Sequence, residues 1–234
     1  MTRLQLLNNV DHHDLRVTAG HAAAYGDSVN QVLVFPTEFD RVQREYPILF
    51  RHDPEEGLQA VALLGLDPDE NLFLDEAGWQ ARYIPAIQQR GPFSIAIRSE
   101  GGEPLIHIDL DDPRVGTAEG LPLFLPHGGN APYLEHVSRV LGMIFGGIEA
   151  ARTMYAAFEA LGLLQPTRLE IALDDDRRYI VSDYLAIDPE RLATLDGAAL
   201  ESLNRAGQLQ PAFLAAASLG NVGRLIELKN RRAR

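Results

Sequence analysis

Residues 93–110 read FSIAIRSEGGEPLIHIDL, and the fold class follows from this stretch. Its flanks, FSIAIR (93–98) and LIHIDL (105–110), alternate apolar and polar positions, the period of a strand with one face buried, and Gly101 and Gly102 lie between them as a turn. A lone hairpin is marginal in water, so its apolar face must meet further strands or a helix.

Working outward, QVLVF (31–35), PILFRH (47–52), LQAVALLGL (58–66) and NLFL (71–74) read as neighbouring strands of one antiparallel sheet, with a further strand over 15–19. A second hairpin is expected over 168–173 and 179–187, across the acidic turn Asp174, Asp175 and Asp176. Pro36 suits the first turn of a helix reaching residue 45 or 46, which Pro47 stops. Trp79, Tyr83, Ile84 and Ile87 fall on one helical face, so 79–89 reads as a helix kinked at Pro85 or one that begins there. Between 130 and 162, Leu134, Val137, Leu141, Ile144, Ile148, Ala151, Tyr155 and Phe158 recur at three- and four-residue steps, predicting one long helix or two joined near Gly146 and Gly147. After Asp188 and Pro189, a cap followed by an N1 proline, three short helices are expected.

Hairpins without a βαβ rhythm predict an α+β fold: an antiparallel sheet packed by a long central helix and a C-terminal cluster of short helices. A single domain over 1–234 is expected, with a subdivision near 128–130 as the alternative.

Composition removes much chemistry. The 234 residues contain no cysteine, which excludes disulfides, thiolate metal sites and cysteine nucleophiles, and Lys229 is the sole lysine, which leaves little room for a Schiff base or a phosphate-loop lysine. A net charge of −12 repels nucleic acid. The basic run Arg224, Lys229, Arg231, Arg232 and Arg234 reads as a helix end complementing its dipole or as a solvated tail. The opening MTRLQLLNNV has too short an apolar run for a signal peptide, and the longest apolar run, 140–148, is too short to span a bilayer, so a cytoplasmic location without membrane insertion is expected.

Few constellations remain. His107 and Asp109 supply the H-x-D part of a two-histidine, one-carboxylate Fe(II) site of oxygenase type, with His127 or His136 as the distal ligand. Residues two apart on a strand share a face, however, and the same pair also reads as the outer row of a strand whose core row is Ile106, Ile108 and Leu110. Glu135 and His136 lack the second histidine of a zinc-protease helix, no G-x-S-x-G occurs, and the glycine pairs lack dinucleotide spacing. Gly142 and Gly146 lie on one helix face, a candidate for close packing or for a homo-oligomer contact. The most distinctive feature is a series of aromatics beside prolines: Tyr46 and Pro47, then Trp79, Tyr83 and Pro85, then Arg90 and Phe93. Such residues give rigid apolar surface, in a core or in a recognition groove.

At these residues the chain resembles the SapC-like family of bacterial proteins. The blocks are EFDRVQREYPILF (38–50), ALLGLDPDENLFLDEAGWQARYIPA (62–86) and RGPF (90–93), with His12 and Leu15, LGLLQP (161–166), LATLD (192–196) and ASLGN (217–221). One departure is Leu125, after the Leu123–Phe124 pair, where relatives tend to carry an acidic residue. The resemblance implies a soluble protein encoded beside TonB-dependent receptors and halogenase-like or hydroxylase-like enzymes, without an assigned reaction. It marks His12, Glu38, Tyr46, Pro47, Trp79, Tyr83, Pro85, Arg90 and Phe93 as candidate surface or pocket residues. The resulting expectation is a non-catalytic accessory protein with a protein partner, serving a bacterial modification or TonB-linked uptake system. Alternatives are a non-haem metal enzyme and a structural oligomer.

Overall fold

Proline, glycine and aspartate cut the first half of the chain into short strands. In the structure, a computed structural model describing residues 3–97, 104–174 and 177–232, the strands are β1 (Leu4–Leu6), β2 (Arg16–Val17), β3 (Gln31–Leu33), β4 (Ile48–Asp53), β5 (Gly57–Leu63), β6 (Leu74–Asp75), β7 (Gly78–Trp79), β8 (Phe93–Ile97), β9 (Pro104–Asp109), β10 (Val115–Gly116), β11 (Leu121–Pro122), β12 (Leu164–Ala172) and β13 (Arg178–Ile187). The helices are α1 (Phe39–Val42), α2 (Ala86–Gln89), α3 (Pro132–Ala160), α4 (Pro189–Ala193), α5 (Gly197–Arg205), α6 (Leu209–Ser218) and α7 (Val222–Arg232).

The hairpin read from 93–110 is β8–β9, with Phe93 opposite Ile108 and Ile95 opposite Ile106; the Gly101–Gly102 turn lies outside the described residues. Its inner row behaves as alternation requires. Ile108 is fully buried with Phe93, Val17, Leu123 and Leu134, and Ile106 and Leu110 pack on the same cluster. β1 extends the hairpin along β9.

The largest sheet runs β12–β13–β4–β5–β3. The second hairpin joins it with Leu185 opposite Phe50, so strands from both sides of residues 128–130 share one sheet. Residues 71–74 are mostly turn instead of strand. Asn71 Oδ1 accepts the Phe73 N–H (2.9 Å), closing an Asx turn, and Leu74 pairs with Trp79 in a separate two-stranded ribbon.

α3 is one unbroken helix of 29 residues. Its first half covers the β8–β9 hairpin through Leu134, Val137 and Leu141, and its second half enters the main core through Met154 and Phe158, the latter edge-on to Phe50 at 6.2 Å. The two clusters are therefore held on one rod. Its close-packing glycine is Gly147, where a Cβ would sit 2.5 Å from Phe35 Cβ; Gly142 and Gly146 face open space.

One further expectation is corrected and two open alternatives are decided. Of the two readings of 79–89, the helix that begins at Pro85 is the one observed: Gly78 and Trp79 form β7, and Pro85 caps α2, because proline disfavours a helical residue before it and supplies no N–H. Among the described residues four α-helices, not three, follow Asp188, whose carboxylate caps α4 by accepting the N–H groups of Glu190 and Arg191. Of the two readings of the basic C-terminal run, the helix end is the one observed: Lys229, Arg231 and Arg232 lie in the last turn of α7, and Arg234 lies outside the described residues. Lys229 is buried against Asp67 and Glu70, Arg232 donates to the carbonyls of Asn71 and Leu74, and Arg224 pairs with Glu45 at 3.0 Å.

Candidate functional site

Pro36 presets the backbone for a short 3-10 turn, Pro36–Glu38, that leads into α1. This brings the Glu38 side chain back over the turn, fully buried. Its Oε1 accepts the Phe35 N–H (3.1 Å), while Oε2 accepts the Tyr83 hydroxyl (2.7 Å) and the Ala86 N–H (2.9 Å). One carboxylate thus ties the start of α1 to residue 83 and to the start of α2. Burial pushes its pKa above the ordinary carboxylate value, against the opposing effect of Tyr83, the two amides and Arg41.

Tyr83 is held from a second side. The Tyr46 hydroxyl donates to the Tyr83 carbonyl (2.5 Å) and accepts from Trp79 Nε1 (2.9 Å), and Tyr46 is itself fully buried, edge-on to Phe73 at 4.6 Å. Trp79 in turn meets His21 at 5.5 Å, and His21 Nδ1 lies 3.4 Å from the buried Asp27. Burial and the neighbouring Glu38 charge raise the Tyr83 pKa, so its hydroxyl stays protonated. The Arg41 guanidinium lies 5.6 Å from the Tyr83 ring centre.

In front of this network is a cleft of about 480 Å³. Arg41, Arg82 and Arg114 line it with His21, His136, Tyr83 and Tyr133, and among the described residues no Asp or Glu does. Arg114 is mostly buried and fixed. Its Nε and Nη2 grip Asp112 at 2.9 and 2.6 Å, and its guanidinium lies 5.3 Å from the Tyr25 ring centre. The Asp112 contact holds the Arg114 pKa above its ordinary value. Arg41 and Arg82 are exposed, and neither forms an ion pair among the described residues. Two free guanidinium forks, one anchored fork and two imidazoles can hold a carboxylate or a phosphate.

The structure distributes the residues singled out from the sequence. Tyr83 lines the cleft; Glu38, Tyr46 and Trp79 brace it from behind; Pro85 starts α2 beside it. Arg90 faces a different concavity. Phe93 is buried edge-on to Tyr133 at 6.3 Å, and Pro47 is buried ahead of β4. His12 is buried in the N-terminal turn, where Nδ1 accepts the Asn8 N–H and Nε2 meets Gln5 Oε1, both at 3.2 Å, away from the cleft. His107 and Asp109 are half-buried on β9 and His127 is exposed; among the described residues no group of three His, Asp or Glu is placed to hold a metal. Sequence reading missed Arg41, Arg82, Arg114, His21 and Tyr133, and named His136 only as a distal metal ligand. Arg41 and Arg82 lie inside the aromatic blocks quoted above, and unpaired arginine beside tyrosine in an acidic chain was the available signal.

No helix among the described residues is long and apolar enough to cross a membrane. Comparison with curated proteins and with solved structures returned no match. The family model for SapC does match, over residues 7–225, which takes in the network, the cleft and the first four residues of α7, and the chain belongs to the SapC family.

Proposed function

We propose that this chain is a non-catalytic accessory protein that binds an anionic ligand, a small molecule bearing a carboxylate or phosphate, in the arginine-lined cleft. One observation carries the reading: in a chain of net charge −12, one cleft gathers Arg41, Arg82, Arg114, His21 and His136 with no acidic side chain among the described residues that line it. The overall field repels anions, so a cleft of opposite sign marks a local exception with a use. Tyr83 is braced by Glu38 and Tyr46, which lowers the ordering cost of recognition. The setting implied by the family resemblance, a bacterial modification or TonB-linked uptake system served from the cytoplasm with a protein partner, suits a protein that holds a ligand for another.

Isothermal titration with succinate, phosphate and sulfate over a chloride background at fixed ionic strength tests this. At least one of the three is expected to saturate a single site. Arg41→Gln and Arg82→Gln, both at exposed positions, each weaken it by about tenfold while thermal unfolding stays unchanged. Binding of none of the three, or equal binding by both variants, overturns the reading.

A further inference from the structure

α2 separates two concavities. Gln88 and Gln89 face the arginine-lined cleft, whereas Ile87 and Arg90 face an elongated groove of about 1070 Å³. That volume is at the upper end of the roughly 300–1,000 Å³ typical of small-molecule sites. One wall is α3, from Leu141 through Ile144, Ile148 and Tyr155 to Glu159, about 27 Å at the helical rise per residue. The other is built from Phe35, Leu58, Ala60, Ile87 and Ile95. Ile148 is 50% exposed at the rim, so a large aliphatic side chain is left in water beside an apolar trough.

The two ends differ in charge. At the β4–β5 end stand His52, Glu56, Arg152 and Glu159, of mixed sign. At the α2 end stands Arg90 beside Ser94, without an acid among the described residues. Arg90 is half-buried; its Nε donates to the Ile87 carbonyl (3.3 Å) and Nη1 to the Phe93 carbonyl (3.4 Å), both long, and it forms no ion pair among the described residues. Burial and the nearby Arg114 charge both disfavour its cationic form. A half-buried guanidinium without a counter-charge, at the end of an apolar trough, is satisfied by an incoming anion.

We propose that this groove binds a single-chain amphiphile, an extended aliphatic chain ending in a carboxylate, with the carboxylate on Arg90 and the chain laid along α3 toward the β4–β5 hairpin. The reverse orientation places the carboxylate in the mixed field of Glu56 and Glu159 with His52 and Arg152, where attraction and repulsion offset, whereas the α2 end offers a guanidinium with no acid beside it among the described lining residues. This site is distinct from the cleft and does not rest on it.

The test uses the full chain and the fluorescence of dansyl-undecanoate, displaced by hexadecanoate or by hexadecanol. Saturable binding at one site per chain is expected, with hexadecanoate about tenfold tighter than the alcohol and that preference lost in Arg90→Gln. Ile148→Glu, at an exposed position, abolishes probe binding while circular dichroism stays unchanged. Arg82→Gln, which alters the cleft alone, leaves probe binding intact. A probe that never saturates, a preference retained in Arg90→Gln, or parent-like binding by Ile148→Glu overturns the proposal. Loss of binding in Arg82→Gln overturns it too, by moving the site to the cleft. So does a dimer that Ile148→Glu dissociates while the probe stays unbound, because a second copy then covers the groove.

Discussion

The Nζ of Lys229 lies 2.6 Å from Oε1 of Glu70, a residue 159 positions earlier in the chain. It also meets Asp67 at 2.5 Å and stands over the Tyr179 ring, 5.4 Å from its centre. Burial works against the cation, but the two carboxylates outweigh it and hold the Lys229 pKa above its ordinary value. The same contact holds Asp67 below the usual carboxylate range. Lys229→Met is expected to leave Glu70 half-buried without its cation and to cost about 1–3 kcal/mol, mostly through Glu70, because Asp67 is half exposed and screened. Urea unfolding at pH 7 measures it. The sign with pH follows from the shifts: the depressed Asp67 contributes stability above its unfolded value near 3.8, lost as pH falls through its folded pKa, and the raised Lys229 contributes below 10.5, lost as pH rises through its own. The parent-to-variant difference should therefore be flat near neutrality and shrink on both sides. A difference that grows in acid contradicts the pairing.

Glu38 behaves in the opposite sense. Its folded pKa is raised, so its contribution is fully present below the unfolded value near 4.5 and declines as pH rises through the folded pKa. In Glu38→Gln one amide NH₂ must face an N–H or O–H that now meets an acceptor, at a cost of about 1–3 kcal/mol. The deficit relative to parent should be larger at pH 4 than at pH 7 by chemical denaturation. Because Tyr83 loses its tether, anion binding in the cleft should weaken as well. A pH-independent deficit counts against an ionised, desolvated carboxylate at this position.

Much of the fold could be read from the chain because it rests on local periodicity. The three- and four-residue steps from Leu134 to Phe158 survive unchanged in α3, and the alternation of FSIAIR and LIHIDL survives in β8–β9. The spacing of Trp79, Tyr83 and Ile87 is equally helical and left two readings open, of which the late start at Pro85 is observed, since Gly78 sits at φ 106° and Pro85 withdraws the N–H that a continuous helix needs. The cleft was legible only through Tyr83. Its arginines come from α1, from the segment between β7 and α2 and from the turn before β10, and no local pattern states that three such segments meet. Lys229 read as a helix end or a solvated tail for the same reason: its partners are distant in sequence and close only after folding.

Tyr46→Phe isolates the brace behind Tyr83. The change keeps the ring against Phe73 and removes the hydroxyl that accepts from Trp79 Nε1 and donates to the Tyr83 carbonyl. Two polar groups lose a partner, for a loss of about 1–3 kcal/mol. The chain has a single tryptophan, so its emission reports this contact directly. A shift in Trp79 emission together with weaker anion binding is expected, and unchanged emission contradicts the Trp79–Tyr46 hydrogen bond.

The glycines of α3 give opposite predictions within two turns of one helix. At Gly147 an added Cβ meets Phe35 Cβ at 2.5 Å and Thr37 Oγ1 at 2.8 Å, and Thr37 is itself pinned by its hydrogen bond to the Met143 carbonyl (3.1 Å). Neither neighbour is the free end of a flexible side chain, so Gly147→Ala must part α3 from the turn that positions Glu38, costing about 1–3 kcal/mol. Gly142→Ala and Gly146→Ala meet open space in the middle of a regular helix and should each stabilise by about 0.5–1 kcal/mol. Thermal unfolding at two protein concentrations decides the matter. A homo-oligomer seated on the Gly142 and Gly146 face loses stability and concentration dependence when these two become alanine, whereas an unoccupied face gains stability from both.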